Sequence, residues 1–127
     1  MQHPQDPHCP TWPRHLLGHR HTRCRLCFGL QNYFGGLHGG AVAAIAERVA
    51  IATSRTVVGV DKEIFLVDLG ISYLSAAPKD AELIVDGAVV KSGRNITAVS
   101  IEFKMKKTGK LLFTSRATFH NSPLAKL

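Results

Sequence analysis

The sequence predicts an α+β domain in which one antiparallel sheet wraps around one long central helix. Two observations carry this. Apolar side chains recur at helical spacing across residues 39–57, and after residue 62 the period changes to two. A third supports it: the helical run is built mostly of small residues, which lets a sheet close tightly around it.

The elements follow in order. Residues 1–22 hold four prolines and five histidines with almost no periodicity, and read as a disordered or divergent N-terminal extension. In "CRLCFGL", Cys24, Leu26, Phe28 and Leu30 alternate, a short candidate strand. "QNYFGGLHGG" is a glycine-punctuated loop. In the helix, Val42, Ile45, Val49 and Ala52 mark one face, while Ala43, Ala50, Ile51 and Ser54 stand opposite. A helix apolar nearly all round is expected to be buried.

Four strands then follow, read as a meander. In "KEIFLVDLGISYL", Phe65, Val67, Leu69, Ile71 and Tyr73 share a face. "AELIVDGAVVKSG" is the next strand. "NITAVSIEFKMK" sets Val99, Ile101, Phe103 and Met105 against Ser100, Glu102, Lys104 and Lys106, one dry face and one wet. "KKTGK" is a hairpin turn. "LLFTSRATFH" closes the sheet with Leu111, Phe113, Ser115, Ala117 and Phe119 on one side. The domain is placed at 23–122, with 123–127 as a tail.

Bulk properties bound the function. The 127 residues suffice for one domain with a core of its own. No apolar run is long enough to cross a bilayer and no secretory h-region precedes the fold, so neither membrane insertion nor secretion is expected. The net charge is +7, of which residues 1–30 carry +3 and the rest +4. That balance suits a phosphate-bearing ligand. No basic helix or aromatic platform stands out, so no nucleic-acid partner is expected. Cys9, Cys24 and Cys27 are too few and too crowded for a disulfide framework. His19, His21, Cys24 and Cys27 fall within nine residues, whereas structural zinc sites draw on two separated knuckles, so no metal is expected.

One residue breaks the pattern. Glu47 sits amid small apolar side chains, with Ala43, Ala44, Ala50 and Ile51 at i±3 and i±4. A carboxylate in such a setting is costly unless paired. In front of it, Gly39 and Gly40 open the helix, where first-turn N–H groups lack intrahelical acceptors and the dipole favours negative charge. Glu47 lies about 12 Å further along the axis at 1.5 Å per residue. One helix cannot bring both groups to one small reacting centre, so a site shared between two chains is expected.

These residues resemble a known family, the small hotdog-fold acyl-CoA thioesterases, in the branch that includes acyl-coenzyme A thioesterase 13 and its plant relatives. The resemblance covers about residues 31–123. It rests on "NYFGGLHGGAVAAIAE", "VDLGISYLSAAP", "KSGRN" and the closing strand. It implies a hotdog fold, homodimers or homotetramers, and hydrolysis of acyl-CoA without a cofactor, CoA being part of the substrate. By position, Asn32 matches an asparagine that holds substrate or water. His38 belongs to the HGG motif, Gly39 polarises the thioester carbonyl through its N–H, and Glu47 is the general base or nucleophile. The resemblance implies CoA contacts at Gly40, Asp68, Tyr73, Leu74, Ser75, Ala76, Ala77, Pro78, Lys91, Ser92, Gly93, Arg94, Asn95 and His120.

The chain departs from the family at two places. A serine that some relatives carry one position before the strand's Val-Asp is Leu66 here, and residues 1–30 do not resemble the family's longer first strand. Two other functions share the pattern: a hydratase or dehydratase of the same fold, and a non-catalytic acyl-CoA-binding module. Finally, Ala125, Lys126 and Leu127 match the small-basic-aliphatic pattern of a peroxisomal address, which implies an import receptor as partner, with cytoplasm as the default location. Pro123 is expected to end the strand ladder and free this tail.

Overall fold

The computed structural model describes residues 21–27, 39–78 and 81–124. Strand β1 (His21–Cys27) precedes helix α1 (Gly39–Arg55), and four strands follow: β2 (Lys62–Tyr73), β3 (Glu82–Ser92), β4 (Ile96–Met105) and β5 (Leu111–Pro123). They form one antiparallel sheet in the order β1-β3-β4-β5-β2, with α1 against one face. β1 opens at His21, inside the stretch read as an extension, and includes Cys24 and Leu26. Phe28, Leu30, Cys9, His19 and residues 125–127 lie outside the described residues.

The core follows the alternation at the middle of the sheet. On β4, Val99, Ile101 and Phe103 are buried. They meet Leu83 and Val85 of β3, Phe113, Ala117 and Phe119 of β5, and Val42, Ala46, Val49 and Ala50 of α1. Each fully buried Val, Leu, Ile or Phe among them contributes roughly 1.5–3 kcal/mol of transfer free energy. The outer face carries Ser100, Glu102 and Lys104. Its ion pairs, Lys104–Glu102 at 2.9 Å and Lys106–Glu82 at 3.3 Å, sit near solvent and add little. The turn at 106–110 closes on Gly109, whose φ of +72° suits a residue without a Cβ. The Gly109 N–H donates to the Met105 carbonyl at 2.8 Å.

Four expectations are corrected. First, the strands after the helix are not one meander. β3, β4 and β5 are, but β2 pairs with β5 at the far edge, from Lys62↔Pro123 to Tyr73↔Phe113. Alternation identifies a strand and says nothing of its neighbour. Second, β2 changes parity at a bulge between Leu66 and Asp68. An extra residue in one strand flips every side chain beyond it. Leu66, opposite Phe119, therefore shares the helix-facing side with Leu69, Ile71 and Tyr73, while Phe65, opposite His120, faces outward. A similar shift between Phe103 and Lys104 pairs Leu111 with outward-facing Lys104 and leaves the inward place to buried Leu112.

Third, the helix is not buried all round. Gly40, Ala44, Glu47, Arg48 and Arg55 are exposed, at i, i+4, i+7, i+8 and i+15 along one face that the sheet of one chain leaves largely uncovered. The helix also stops at Arg55, whose guanidinium donates to the carbonyls of Gly59 at 3.1 Å and Lys62 at 2.7 Å. Fourth, Pro123 does not release the chain: it still pairs with Lys62, and the Leu124 N–H donates to the Asp61 carbonyl at 3.2 Å.

Candidate active site

The described site residues fall into two groups at opposite ends of the sheet. At one end, α1 begins at Gly39. The Tyr73 hydroxyl donates to the Gly39 carbonyl at 2.8 Å, tying the last residue of β2 to the first of the helix. The Tyr73 ring meets Phe113 edge-on at 5.6 Å, and Phe113 meets Phe103 likewise at 5.6 Å. A chain of three aromatics thus anchors the helix N-terminus to the core. Leu74, Ser75, Ala76, Ala77 and Pro78 leave β2 here. The N–H groups of Leu74 and Ser75 both donate to the Leu112 carbonyl, at 2.9 and 3.1 Å, and Ala77 is buried.

At the other end, the β3–β4 turn carries Gly93, Arg94 and Asn95, with Lys91 and Ser92 at the close of β3. All five side chains or backbones are exposed, as is His120, which pairs with Ile96 beside the turn. Ser92 pairs with Thr97, Thr97 with Phe119 and Phe119 with Leu66, so the turn sits level with Leu66 across the sheet. Across the bulge, Leu66 to Tyr73 matches six positions of β5, from Phe119 to Phe113, roughly 20 Å at 3.3 Å per residue. Within one chain, the CoA-phosphate candidates are that far from the carbonyl-polarising candidate.

Between the ends stand two acids. Glu47 is exposed on the uncovered strip of α1, two turns beyond Gly39 on one unbroken helix. Asp68 is exposed on the outer face opposite Thr118, carried there by the bulge. Asn32 and His38 lie outside the described residues. Among the described residues, no group of three or more His, Cys, Asp or Glu could hold a metal ion, and no helix is long and apolar enough to cross a membrane.

Three residues at the turn end were not singled out from sequence. Lys62 Nζ donates to the Arg94 carbonyl at 3.3 Å, which adds a third cation beside Lys91 and Arg94. Asn121 and Thr97 are buried together next to Gly93, with Asn121 Nδ2 donating to Thr97 Oγ1 at 2.9 Å. A signal for Asn121 existed: it continues the inward alternation through Ser115, Ala117 and Phe119, and a buried amide must find partners. No local pattern marks Lys62, because its contact spans 32 positions.

Comparisons with known proteins agree with this architecture. A family model described as the thioesterase superfamily matches residues 34–112, which include Gly39, Glu47, Asp68, Tyr73 and the 91–95 turn. Acyl-coenzyme A thioesterase 13 of Homo sapiens and that of Mus musculus are each 31% identical over 93 residues, or 70% of this chain. The chain spans 63% of the length of these relatives. A thioesterase from Haemophilus influenzae superposes with a TM-score of 0.79 at 21% identity, covering 88% of this chain and 78% of its own. Zebra fish thioesterase superfamily member 2 gives 0.75 at 24% identity, covering 80% and 74%. The sheet order, the helix on one face and the family match over the site together show that this chain belongs to the thioesterase superfamily, with the hotdog fold.

Proposed function

We propose that the chain hydrolyses acyl-CoA thioesters to a free acid and CoA, at a site shared between two copies. The observation that carries this is the placement of Gly39 and Glu47. One opens α1 and the other lies exposed two turns on, with the strip around it uncovered. A second copy laid against that strip would bring its own Gly39 to the first copy's Glu47. Relatives named acyl-coenzyme A thioesterase 13 support the substrate class.

The chemistry is modest. The Gly39 N–H at the helix N-terminus would donate to the thioester oxygen as negative charge develops there, a device worth a few kcal/mol when preorganised. Glu47 would either take a proton from water as the water oxygen attacks the carbonyl carbon, or attack directly to give an anhydride that water then opens. In both routes the carbon–sulfur bond breaks and the sulfur leaves with a proton as the CoA thiol. Asn32 and His38 would position substrate and water, and Asp68, Tyr73 and residues 74–78 would flank the thioester arm. Lys91, Arg94 and His120 would meet the phosphates. No cofactor enters this scheme. A homodimer is the smallest competent unit, and a homotetramer is compatible with it. Peroxisomal import through residues 125–127 would place the enzyme where acyl-CoA is abundant.

The test is thiol release from a panel of acyl-CoAs. Glu47→Gln is expected to lower kcat roughly 100- to 10,000-fold with CoA binding retained. Mixing Glu47→Gln chains with Gly39→Val chains should restore one intact site per mixed dimer. Near-normal kcat in Glu47→Gln would make the carboxylate structural, and no recovery on mixing would place both groups in one chain's site.

A further inference from the structure

We propose that Asn121 is a positioning residue that holds the 93–95 turn in the one form able to receive the phosphates of a CoA thioester. This rests on the reading of that turn as the CoA end of the site. Three successive carbonyls of the turn are tied down by the protein. Asn121 Nδ2 donates to the Gly93 carbonyl at 3.3 Å, Lys62 Nζ to the Arg94 carbonyl at 3.3 Å, and the Asn121 N–H to the Asn95 carbonyl at 2.7 Å. Asn121 thus supplies two of the three bonds from one buried position, only 3% exposed.

The consequence is electrostatic. In a trans peptide the carbonyl and the next N–H point in opposite directions. Drawing the carbonyls of residues 93 and 94 toward Asn121 and Lys62 turns the N–H groups of Arg94 and Asn95 away from those two side chains, in a turn where Lys91 and Arg94 are exposed. Successive N–H groups turned this way next to cations suit an anion. The same turn with its carbonyls outward would repel one.

The amide is itself locked. Thr97 is fully buried, accepts from Asn121 Nδ2 at 2.9 Å, and its hydroxyl donates to Asn121 Oδ1 at 3.3 Å. That leaves Nδ2 one orientation in which its second hydrogen reaches Gly93. The Gly93 N–H closes the turn on the Ile96 carbonyl at 2.8 Å. A buried amide is costly unless it is hydrogen-bonded, and here its bonds go to Thr97 and to the Gly93 carbonyl of the turn.

The experiment compares acyl-CoA with the matching acyl-pantetheine, which has the same thioester and arm without the nucleotide phosphates. It uses the full chain, wild type, Asn121→Leu and Thr97→Val. Asn121→Leu is expected to raise KM for acyl-CoA about tenfold, with kcat within twofold and KM for acyl-pantetheine unchanged. Thr97→Val, which keeps the Gly93 bond available and removes only the lock, should give a smaller rise with the same selectivity. Equal losses on both substrates would show general damage to the fold and overturn the proposal, as would no change on either. Calorimetric titration of CoA into the same three proteins reads the turn without catalysis. If the wild type binds CoA and releases no thiol from acyl-CoA, the hydrolase reading fails, while weaker CoA binding by Asn121→Leu still supports the positioning role.

Discussion

Gly87 lies mid-strand on β3, inward-facing and buried, against Val49 and Thr53 of α1. A Cβ there would collide with Thr53 Oγ1, stand 3.1 Å from Val49 Cγ1 and 3.4 Å from Thr53 Cβ. Thr53 is fully buried and its hydroxyl donates to the Val49 carbonyl at 2.8 Å, so it cannot swing aside without losing that bond. Overpacking of this kind costs roughly 1–3 kcal/mol, and the upper end applies where a hydrogen-bonded neighbour must move. Removing glycine returns about 0.5–1 kcal/mol. The expected net loss for Gly87→Ala is about 2 kcal/mol, or about 8 °C in Tm at ~4 °C per kcal/mol for a domain of this size.

Thr53→Ala alone should cost about 1 kcal/mol for its hydrogen bond. The double variant is the discriminating protein. With the hydroxyl gone, the collision is removed and only the 3.1 Å approach to Val49 Cγ1 stays tight, so Gly87→Ala in that background should cost no more than ~0.5 kcal/mol, a coupling well above the limits of additivity. The assay is denaturant unfolding of all four proteins at one protein concentration, with the m-value checked for constancy. Additive losses, or a stable Gly87→Ala single variant, would refute the contact as the reason for glycine at 87.

Tyr73→Phe keeps the ring against Phe113 and removes the hydroxyl from the Gly39 carbonyl. Stability should fall by only about 0.5 kcal/mol at this exposed bond, while kcat for acyl-CoA falls several-fold; an unchanged kcat would mean that the tie holds the helix end and nothing more. A fluorescent protein fused at the N-terminus should give punctate signal that becomes diffuse on deletion of Leu127, and a diffuse signal in both would reject the peroxisomal address.

The long helix, the four later strands and their inward residues on β4 were legible because each is a local property. Period 3.6 or 2 is written in the spacing of apolar side chains, and Val99, Ile101 and Phe103 are buried as that spacing requires. Glu47 was legible for the same reason, as the one carboxylate in a run of small residues. The separation of Glu47 from Gly39 needed only the helical rise.

Tertiary structure decided what alternation cannot express. β2 reads like its neighbours yet joins β5 at the edge, because pairing is chosen by contacts between residues some fifty positions apart. The bulge after Leu66 sends Phe65 and Leu69 to opposite faces although the letters alternate unbroken, since one extra residue inverts parity without changing composition. The exposed strip on α1 depends on how far one sheet reaches around a helix. The tie from Tyr73 to Gly39 and the hold of Asn121 on Gly93 span 34 and 28 positions. Such bonds exist only once the chain has folded, so the sequence supplied the groups of the candidate site and the packing of distant strands determined where the described ones lie.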